Sequence, residues 1–327
     1  MNMKKCLRAL RRALPLAVLL GIVALPAYAV PLSADSGGET ALRPIAERLD
    51  TMTYQGVRMQ GTLRATAPEG GALTFEVVEQ PKKGTVTLQK NDSSAFIYAP
   101  KEGKAGKDTF TFLARDENGI ASAPAVVTID ILKGKTGVRY ADMEDHAAHA
   151  AAICLAESGV FTGSRTDGVY FFRPEQTVSR GEFLAMAMAA VGDETAAPTA
   201  VTGFGDDGDI PAWAKPYAAE ARSCGVIDGK RENGKVVFSA GETITCGEAA
   251  VILNRLLAVT DVDAAAFAEK DVPAWAAQSV ANLMSLRVLP DGADPAAQLD
   301  RAAAAEMLCA AMDLMEVDSG GPFGWLK

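Results

Sequence analysis

The C-terminal half of the chain repeats one pattern of apolar and polar positions three times. In each copy an acidic start precedes an Ala-rich helical stretch, and a turn separates this stretch from a second helix. The turn residues Gly159, Gly225 and Arg287 align the copies, and Gly163 and Gly229 follow the first two at equal distance. Because one such unit cannot bury its apolar face alone, the pattern predicts three helical units that pack against one another.

The pattern changes in the preceding part of the chain, between residues 43 and 132. Short runs of alternating apolar and polar residues, rich in Thr, Val and aromatic residues, are separated by Gly, Pro, Asn and Asp. This rhythm is typical of an antiparallel β-sandwich. The predicted strands include residues 72–78, 84–88, 95–98, 108–113 and 125–131.

The N-terminus has the pattern of a secretory signal peptide. A basic stretch over residues 4–12 is followed by an apolar run over residues 13–25 and by Ala27-Tyr28-Ala29, where cleavage is expected after Ala29. An uncleaved membrane anchor is the alternative, although the run is short for a membrane span.

These patterns predict a multidomain protein, with an all-β sandwich followed by an all-α array of three repeats. Gly-Lys-Thr within the second linker lacks the glycine spacing of a phosphate loop, so we interpret it as a hinge. The predicted parts are a signal peptide (1–29), a linker (30–42), a β-sandwich (43–132), a second linker (133–138), helical units at 139–192, 202–259 and 265–315, and a tail (316–327).

Charge and cysteine content narrow the possible partners. The net charge is −9, and removal of the leader takes away five basic residues, which leaves −14. A nucleic acid is therefore excluded as a partner, because its phosphates would be repelled. After cleavage, Cys154, Cys224, Cys246 and Cys309 remain, either as buried thiols or as two disulfides.

The helical units share several short motifs. These are Tyr140-Ala141-Asp142-Met143, Gly159-Val160-Phe161-Thr162-Gly163, Val178-Ser179-Arg180-Gly181-Glu182, Phe204-Gly205-Asp206-Asp207, Ile244-Thr245-Cys246-Gly247-Glu248 and Asp271-Val272-Pro273-Ala274-Trp275. With these motifs the units resemble S-layer homology domains, in which an aromatic and acidic start, a Trp, a Gly-containing turn and a Thr-Arg-Ala-Glu motif recur. The resemblance implies a pseudo-threefold helical assembly whose grooves bind secondary cell-wall polymer, often capped with pyruvylated N-acetylmannosamine, on a Gram-positive-type bacterium.

The β-rich part resembles the cadherin-like or immunoglobulin-like domains of bacterial surface proteins. In that family an Asp-rich turn can help to bind calcium, but the corresponding turn here, Glu69-Gly70-Gly71, has lost most of those oxygens. The other acidic turn, Asp116-Glu117-Asn118-Gly119, fits a hairpin in which Asn-Gly supplies a positive φ. No metal ion or cofactor is expected.

The helix-opening motif predicts both caps and ligand contacts. Ser179 with Glu182, and Thr245 with Glu248, fit capping boxes. An Arg in the first helical turn interacts unfavourably with the positive end of the helix dipole. Helix stability therefore does not explain why an Arg stands there. An Arg beside free amides at a helix N-terminus can bind a carboxylate such as that of a pyruvate ketal.

The sequence therefore predicts a glycan site, although most of its residues also have an alternative without a ligand. The predicted ligand contacts are Arg180, Arg301, Ser179, Trp213, Trp275, Asp142, Asp271 and Gly163. A solvated or locally paired side chain is the alternative for the Arg residues, and core packing is the alternative for the Trp residues. Asp142, Asp207 and Asp271 are interpreted as helix caps or as partners of sugar hydroxyls.

No unit has the complete pattern. Ala147 stands where the first unit should have Trp, Cys246 occupies the Arg position of the second unit, and Ala303 occupies the Glu position of the third. We therefore expect only one or two grooves to bind glycan. His146 and His149 could contribute to a zinc site, but no further ligands are spaced to join them.

The expected function is binding rather than catalysis. No Ser or Cys lies in the sequence motif of a nucleophile, and no pair of carboxylates differs from the many other acidic residues. No catalytic residue is therefore predicted. The main prediction is non-covalent anchoring of a secreted protein to the cell wall or S-layer, with the β-sandwich displayed. Adhesion or S-layer assembly through protein binding by the sandwich is the alternative, and a wall-modifying enzyme is a further one.

Overall fold

The computed structural model describes residues 42–68, 70–192, 199–264, 272–290 and 292–319. The predicted signal peptide, almost all of the first linker, Glu69, Asp271 and residues 320–327 of the tail lie outside the described residues. The chain forms two compact units whose main boundary lies between Val138 and Arg139.

The first unit is built from short strands. Five of them, β5 to β9, overlap the five strands predicted from alternation, whereas β1 to β4 were not assigned from the sequence. The strands are β1 (Ile45–Ala46), β2 (Leu49–Tyr54), β3 (Met59–Thr62), β4 (Ala65–Thr66), β5 (Thr74–Glu79), β6 (Gly84–Leu88), β7 (Ala95–Pro100), β8 (Gly106–Arg115) and β9 (Ala125–Leu132).

These strands form a four-stranded sheet in the order β2-β9-β8-β5, a three-stranded sheet in the order β3-β7-β6, and the pair β1-β4. One pairing corrects the expectation of a purely antiparallel sandwich, since β2 runs parallel to β9, with Leu49 opposite Val127. The first long strand and the last one therefore lie side by side.

Apolar side chains from both larger sheets make one core. Phe96, Tyr98, Phe110 and Phe112 are almost fully buried, because alternate residues of β7 and β8 point inward. Asp108 is also buried, and its carboxylate accepts hydrogen bonds from the Tyr98 hydroxyl and from the amides of Lys82 and Lys83. This carboxylate therefore fixes the turn between β5 and β6.

The acidic turn after β8 has the hairpin conformation that Asn-Gly predicts. Asp116 Oδ1 accepts from the amides of Asn118 and Ile120, and Gly119 has a φ of +80°. The Asp116 carboxylate therefore stabilises the turn.

The C-terminal region contains six helices among its described residues, two for each repeat. They are α1 (His149–Glu157), α2 (Arg180–Ala190), α3 (Lys215–Ser223), α4 (Cys246–Leu257), α5 (Ala277–Ser285) and α6 (Arg301–Ser319). The expectation of an all-α array needs correction, because the first two repeats each insert a β-hairpin between their helices. The hairpins pair β10 (Ser164–Thr166) with β11 (Val169–Phe171) and β12 (Lys230–Glu232) with β13 (Lys235–Val237).

The first helix of each repeat ends in the same way. Gly159, Gly225 and Arg287 have φ values of +73°, +73° and +59°, which is the left-handed conformation of a helix C-cap. The next amide then bonds back to the helix, as in Val160 to the Leu155 carbonyl and Val226 to the Ala221 carbonyl. The residues that align the repeats in the sequence are thus equivalent in the structure.

Backbone hydrogen bonds close the three repeats into a ring. The amide of Val178 donates to the carbonyl of Leu299, that of Leu299 to Ile244, and that of Ile244 back to Val178, at 2.9, 2.9 and 3.0 Å. Each of these residues lies just before the second helix of its own repeat. The region is therefore a closed cycle with approximate threefold symmetry.

Candidate functional site

The N-terminus of each second helix is bound by the loop of a neighbouring repeat. In α2 the amides of Arg180 and Gly181 donate to the carbonyls of Glu242 and Ala240, at 2.8 and 2.9 Å. The equivalent amides of α4 donate to residues 297 and 295, and those of α6 to residues 176 and 174. The prediction of free amides that could bind an anion here is therefore wrong, because the ring uses them.

The third amide of each of these helices is satisfied by the side chain of its cap residue. Ser179 and Thr245 form the predicted capping boxes, each with the Glu three residues later. Ser179 Oγ is thus a cap acceptor, which corrects its assignment as a ligand contact. In α6, Asp300 takes the same role, since its carboxylate accepts from the amide of Ala303 at 2.8 Å.

Arg180 is buried and paired within the protein. Its side chain is 7% exposed, Nη1 lies 2.8 Å from Glu248 Oε1, and Nε donates to the Phe238 carbonyl at 2.9 Å. Lys230 Nζ lies 3.1 Å from the same Glu248 oxygen. Burial raises the pKa of Glu248, but the charges of Arg180 and Lys230 outweigh it, so this pKa lies below its usual value. Local pairing, the alternative for Arg180, is thus what the structure contains.

Arg301 is equivalent to Arg180 but keeps more of its donors. Its Nη1 donates to the Phe172 carbonyl at 3.1 Å, and the guanidinium lies 5.0 Å from the centre of the Phe161 ring. Among the described residues, no carboxylate forms an ion pair with it. Burial lowers the pKa of Arg301 and outweighs the charge of Glu182, which raises it; the charge of nearby Arg173 lowers it further.

Arg301 lines a cavity of about 180 Å³ in the helical ring. The other lining residues are Phe161, Val178, Glu182, Ala185, Met186 and Trp213. The cavity therefore combines a cation, a carboxylate and an indole with an apolar floor, in a volume that fits one small substituent of a sugar.

Both predicted Trp residues are on the surface. Trp213 is 51% exposed and Trp275 is 60% exposed, so the core alternative is wrong for both. The exposed indole of Trp213 lies beside the cavity and offers a flat apolar face on which a sugar ring can stack.

The cyclic arrangement assembles each groove from three repeats. In the first groove, Arg301 comes from the third repeat, Glu182 from the first and Trp213 from the second. Advancing each position by one repeat gives the second groove, with Arg180, Glu248 and Trp275. The measured pairing of Arg180 with Glu248 is consistent with this rule.

The same rule assigns two of the three departures from the pattern to one place, the third groove. Its Arg position is Cys246 and its Glu position is Ala303. Burial raises the pKa of Cys246, and the charge of Asp294 raises it further. The third groove thus has a neutral thiol beside an acidic residue where the other two have an Arg.

Two further predicted contacts are structural. Both carboxylate oxygens of Asp142 accept backbone amides, from Phe172 at 2.9 Å and Arg173 at 2.7 Å. Asp142 therefore neither caps a helix nor offers a free oxygen to a sugar. A methyl group at Gly163 would collide with the Phe171 carbonyl, so this glycine is required for packing.

The second repeat shows that the aspartate register was one residue off. Asp206, not Asp207, is equivalent to Asp142, because it accepts from the amides of Phe238 and Ser239. Asp207 instead binds Lys215 Nζ at 2.7 Å and the amide and hydroxyl of Thr202. These bonds, that to Lys215 first, hold the pKa of Asp207 at about 2.

Three of the four remaining cysteines are free thiols in the structure, namely Cys154, Cys246 and Cys309. His146 Nδ1 accepts from the amide of Ala148, which is a local contact. Within the described residues, no helix has the length and apolar character needed to cross a membrane.

Sequence reasoning missed residues that other repeats bring to a site. Phe161 and Met186 line the first groove, and Lys230 contacts the ion pair of the second. Phe161 lies in a segment that resembles the family, but none of the three was predicted as a contact, because their role depends on the cyclic packing. The equal spacing of Phe161 and Ile227 from their turn glycines was the available signal.

Residues 42–130 match the family model described as a bacterial Ig domain. The first unit is therefore a bacterial Ig-like domain, a domain class that indicates a surface or extracellular protein. No S-layer homology model matches the helical ring. The comparison with curated proteins gives no match.

Solved structures match the chain only weakly. An endo-fucoidan hydrolase of glycoside hydrolase family 107 is 22% identical over 28% of this chain and 14% of its own, with a TM-score of 0.23. The sialic acid binding region of a Streptococcus sanguinis adhesin is 16% identical over 30% and 31%, with a TM-score of 0.23. The D00-D0 domain of intimin is 15% identical over 29% and 50%, with a TM-score of 0.22. The chain thus spans half or less of these proteins, and scores this low carry no argument about function.

Proposed function

We propose that the helical ring is a non-covalent anchor, of the S-layer homology type, which holds a secreted protein to the cell wall by binding an acidic secondary polymer. The Ig-like domain is then the displayed part. The observation that carries the proposal is the first groove, where Arg301, Trp213 and Phe161 surround one small cavity.

The chemistry of this groove suits a sugar that bears a carboxylate. Arg301 supplies N–H donors that no carboxylate of the described residues occupies, and a guanidinium binds a carboxylate with two parallel hydrogen bonds. The exposed face of Trp213 supplies a stacking surface for the sugar ring. A pyruvate ketal on N-acetylmannosamine combines both features in one residue.

The second groove has the same residue types in a more closed state. Arg180 is held by Glu248, so a ligand carboxylate must compete with that ion pair. The third groove, with Cys246 beside Asp294, has no cation to offer. We therefore propose that the first groove binds most tightly, the second binds more weakly, and the third does not bind.

The protein acts by binding alone in this proposal. An adhesive role for the Ig-like domain is compatible with it, because the anchor and the displayed domain are separate units.

The test is co-sedimentation of the purified chain with wall sacculi, before and after chemical removal of the secondary polymer. We expect binding to intact sacculi and its loss after stripping. Trp213→Ala should weaken binding about tenfold, because the stacking of a ring on an indole contributes about 1–2 kcal/mol. Val201→Ala, which removes an exposed apolar side chain outside the grooves, is the matched control.

Equal binding to stripped and intact sacculi would exclude the polymer as the ligand. No binding to either would leave the ring as a scaffold and would assign the activity to the Ig-like domain.

A further inference from the structure

Two thiols meet where the ring closes. Cys154 lies on α1 of the first repeat, and Cys309 lies on α6 of the third. The side chain of Cys154 interacts with that of Cys309, and this interaction together with burial raises the pKa of the Cys309 thiol. Both are free thiols in the structure.

The approximate threefold symmetry supports this contact independently. Cys154 is the sixth residue of α1, as Asn282 is of α5, and Cys309 is the ninth residue of α6, as Asn254 is of α4. At that equivalent interface, Asn282 Nδ2 donates to Asn254 Oδ1 at 2.9 Å. The interface of α5 with α4 thus brings together the two positions that the cysteines occupy on α1 and α6.

The interface that holds the thiols differs from the other two in its connectivity. The chain itself links the first repeat to the second and the second to the third. The third repeat meets the first only through non-covalent contacts, such as Ala302 to Pro174 and Arg301 to Phe172. A covalent bond at this place would therefore close the ring permanently.

We propose that Cys154 and Cys309 form a disulfide that joins the first and third repeats. The bond requires the two sulfurs, which already interact, to reach a distance of about 2.05 Å. Each thiol gives up its proton, the pair gives up two electrons, and one S–S bond forms. A thiol–disulfide oxidoreductase or oxidised glutathione accepts the electrons, and its own disulfide becomes two thiols. The disulfide proposal rests on the proposed function in one respect only, namely that export brings the thiols into an oxidising compartment.

The first measurement is peptide mapping of the purified full chain after equilibration in a glutathione redox buffer. Free thiols are alkylated, and the chain is cut with trypsin without a reductant. We expect peptide 140–165, which contains Cys154, linked to peptide 302–327, which contains Cys309. Alkylation of both cysteines at every ratio of oxidised to reduced glutathione would overturn the proposal, and so would a link from either one to Cys224 or Cys246.

A second measurement, the change in Tm on reduction, tests whether the disulfide stabilises the ring. Reduction should lower the Tm of the oxidised chain by about 10 °C, because the bond closes a loop of roughly 150 residues. Cys246→Ser should keep this shift, and Cys309→Ser should abolish it. An oxidised chain whose Tm does not change on reduction would contradict this stabilising role. Wall binding is measured separately, so either proposal can fail without the other.

Discussion

Burial decides what each charged residue of the ring can do. Arg180 and Arg301 occupy equivalent sequence positions, and the sequence predicts the same role for both. The structure separates them, because Arg180 forms a buried ion pair with Glu248, whereas Arg301 contacts a carbonyl and an aromatic ring and interacts with the charge of Glu182 without forming an ion pair. A motif gives the residue type, whereas the partner comes from another repeat.

This difference predicts that one substitution mainly lowers stability and the other mainly lowers glycan binding. Arg180→Ala should lower the free energy of unfolding by about 3 kcal/mol, because it leaves Glu248 without its main partner in a mostly buried position. Arg301→Ala should reduce binding to sacculi at least tenfold with a smaller loss of stability. Urea unfolding and co-sedimentation of both variants measure the two effects.

Arg180→Met, which keeps the length of the side chain without its charge, is the control for lost packing. If Arg301→Ala binds as the parent does, Arg301 is not the ligand contact.

The elements of the ring were more predictable than its contacts. Helix spacing, turn glycines and capping boxes are local signals, and α2 and α4 begin where Ser179 and Thr245 predict. The hairpins were missed, because β10 to β13 are only three residues long and alternation over three residues cannot be recognised. Asp142 was misassigned because its partners, the amides of residues 172 and 173, are thirty residues away.

The shared helix ending predicts a stability difference between two glycines. Gly225→Ala should cost about 1 kcal/mol, because an L-residue is strained at a φ of +73°. Gly241→Ala is the matched control, since a methyl group there would meet open space. Thermal unfolding of the two variants measures the difference, and equal Tm values would show that the turn relaxes at no cost.

At the scale of the whole ring, substitutions in different repeats fall in one groove, which thereby loses its binding residues. Ala147, Cys246 and Ala303 lie in three different repeats, and from the sequence alone they leave every repeat incomplete. By the threefold rule that the first groove defines, Cys246 and Ala303 fall in the same groove, and two complete sets of Arg, Glu and Trp remain. No reading of one repeat at a time could show this, because each groove draws on all three.

The ring therefore predicts the number of binding sites. Titration calorimetry with a monovalent probe, the methyl glycoside of pyruvylated N-acetylmannosamine, should give two molecules bound per chain. Trp213→Ala and Trp275→Ala should each leave one site unchanged and weaken the other about tenfold, because each removes the stacking face of a single groove. Val201→Ala should leave two, and three molecules bound to the parent chain would contradict the assignment.

Closure also restricts how such a protein can change its length. An open stack of repeats grows or shrinks by one copy, since each new repeat covers the face that the last one exposed. In this ring the amides of Val178, Ile244 and Leu299 each already have a carbonyl partner, so a fourth repeat would have no free edge to join. A duplication within the gene must therefore copy all three repeats at once to give a second folded ring.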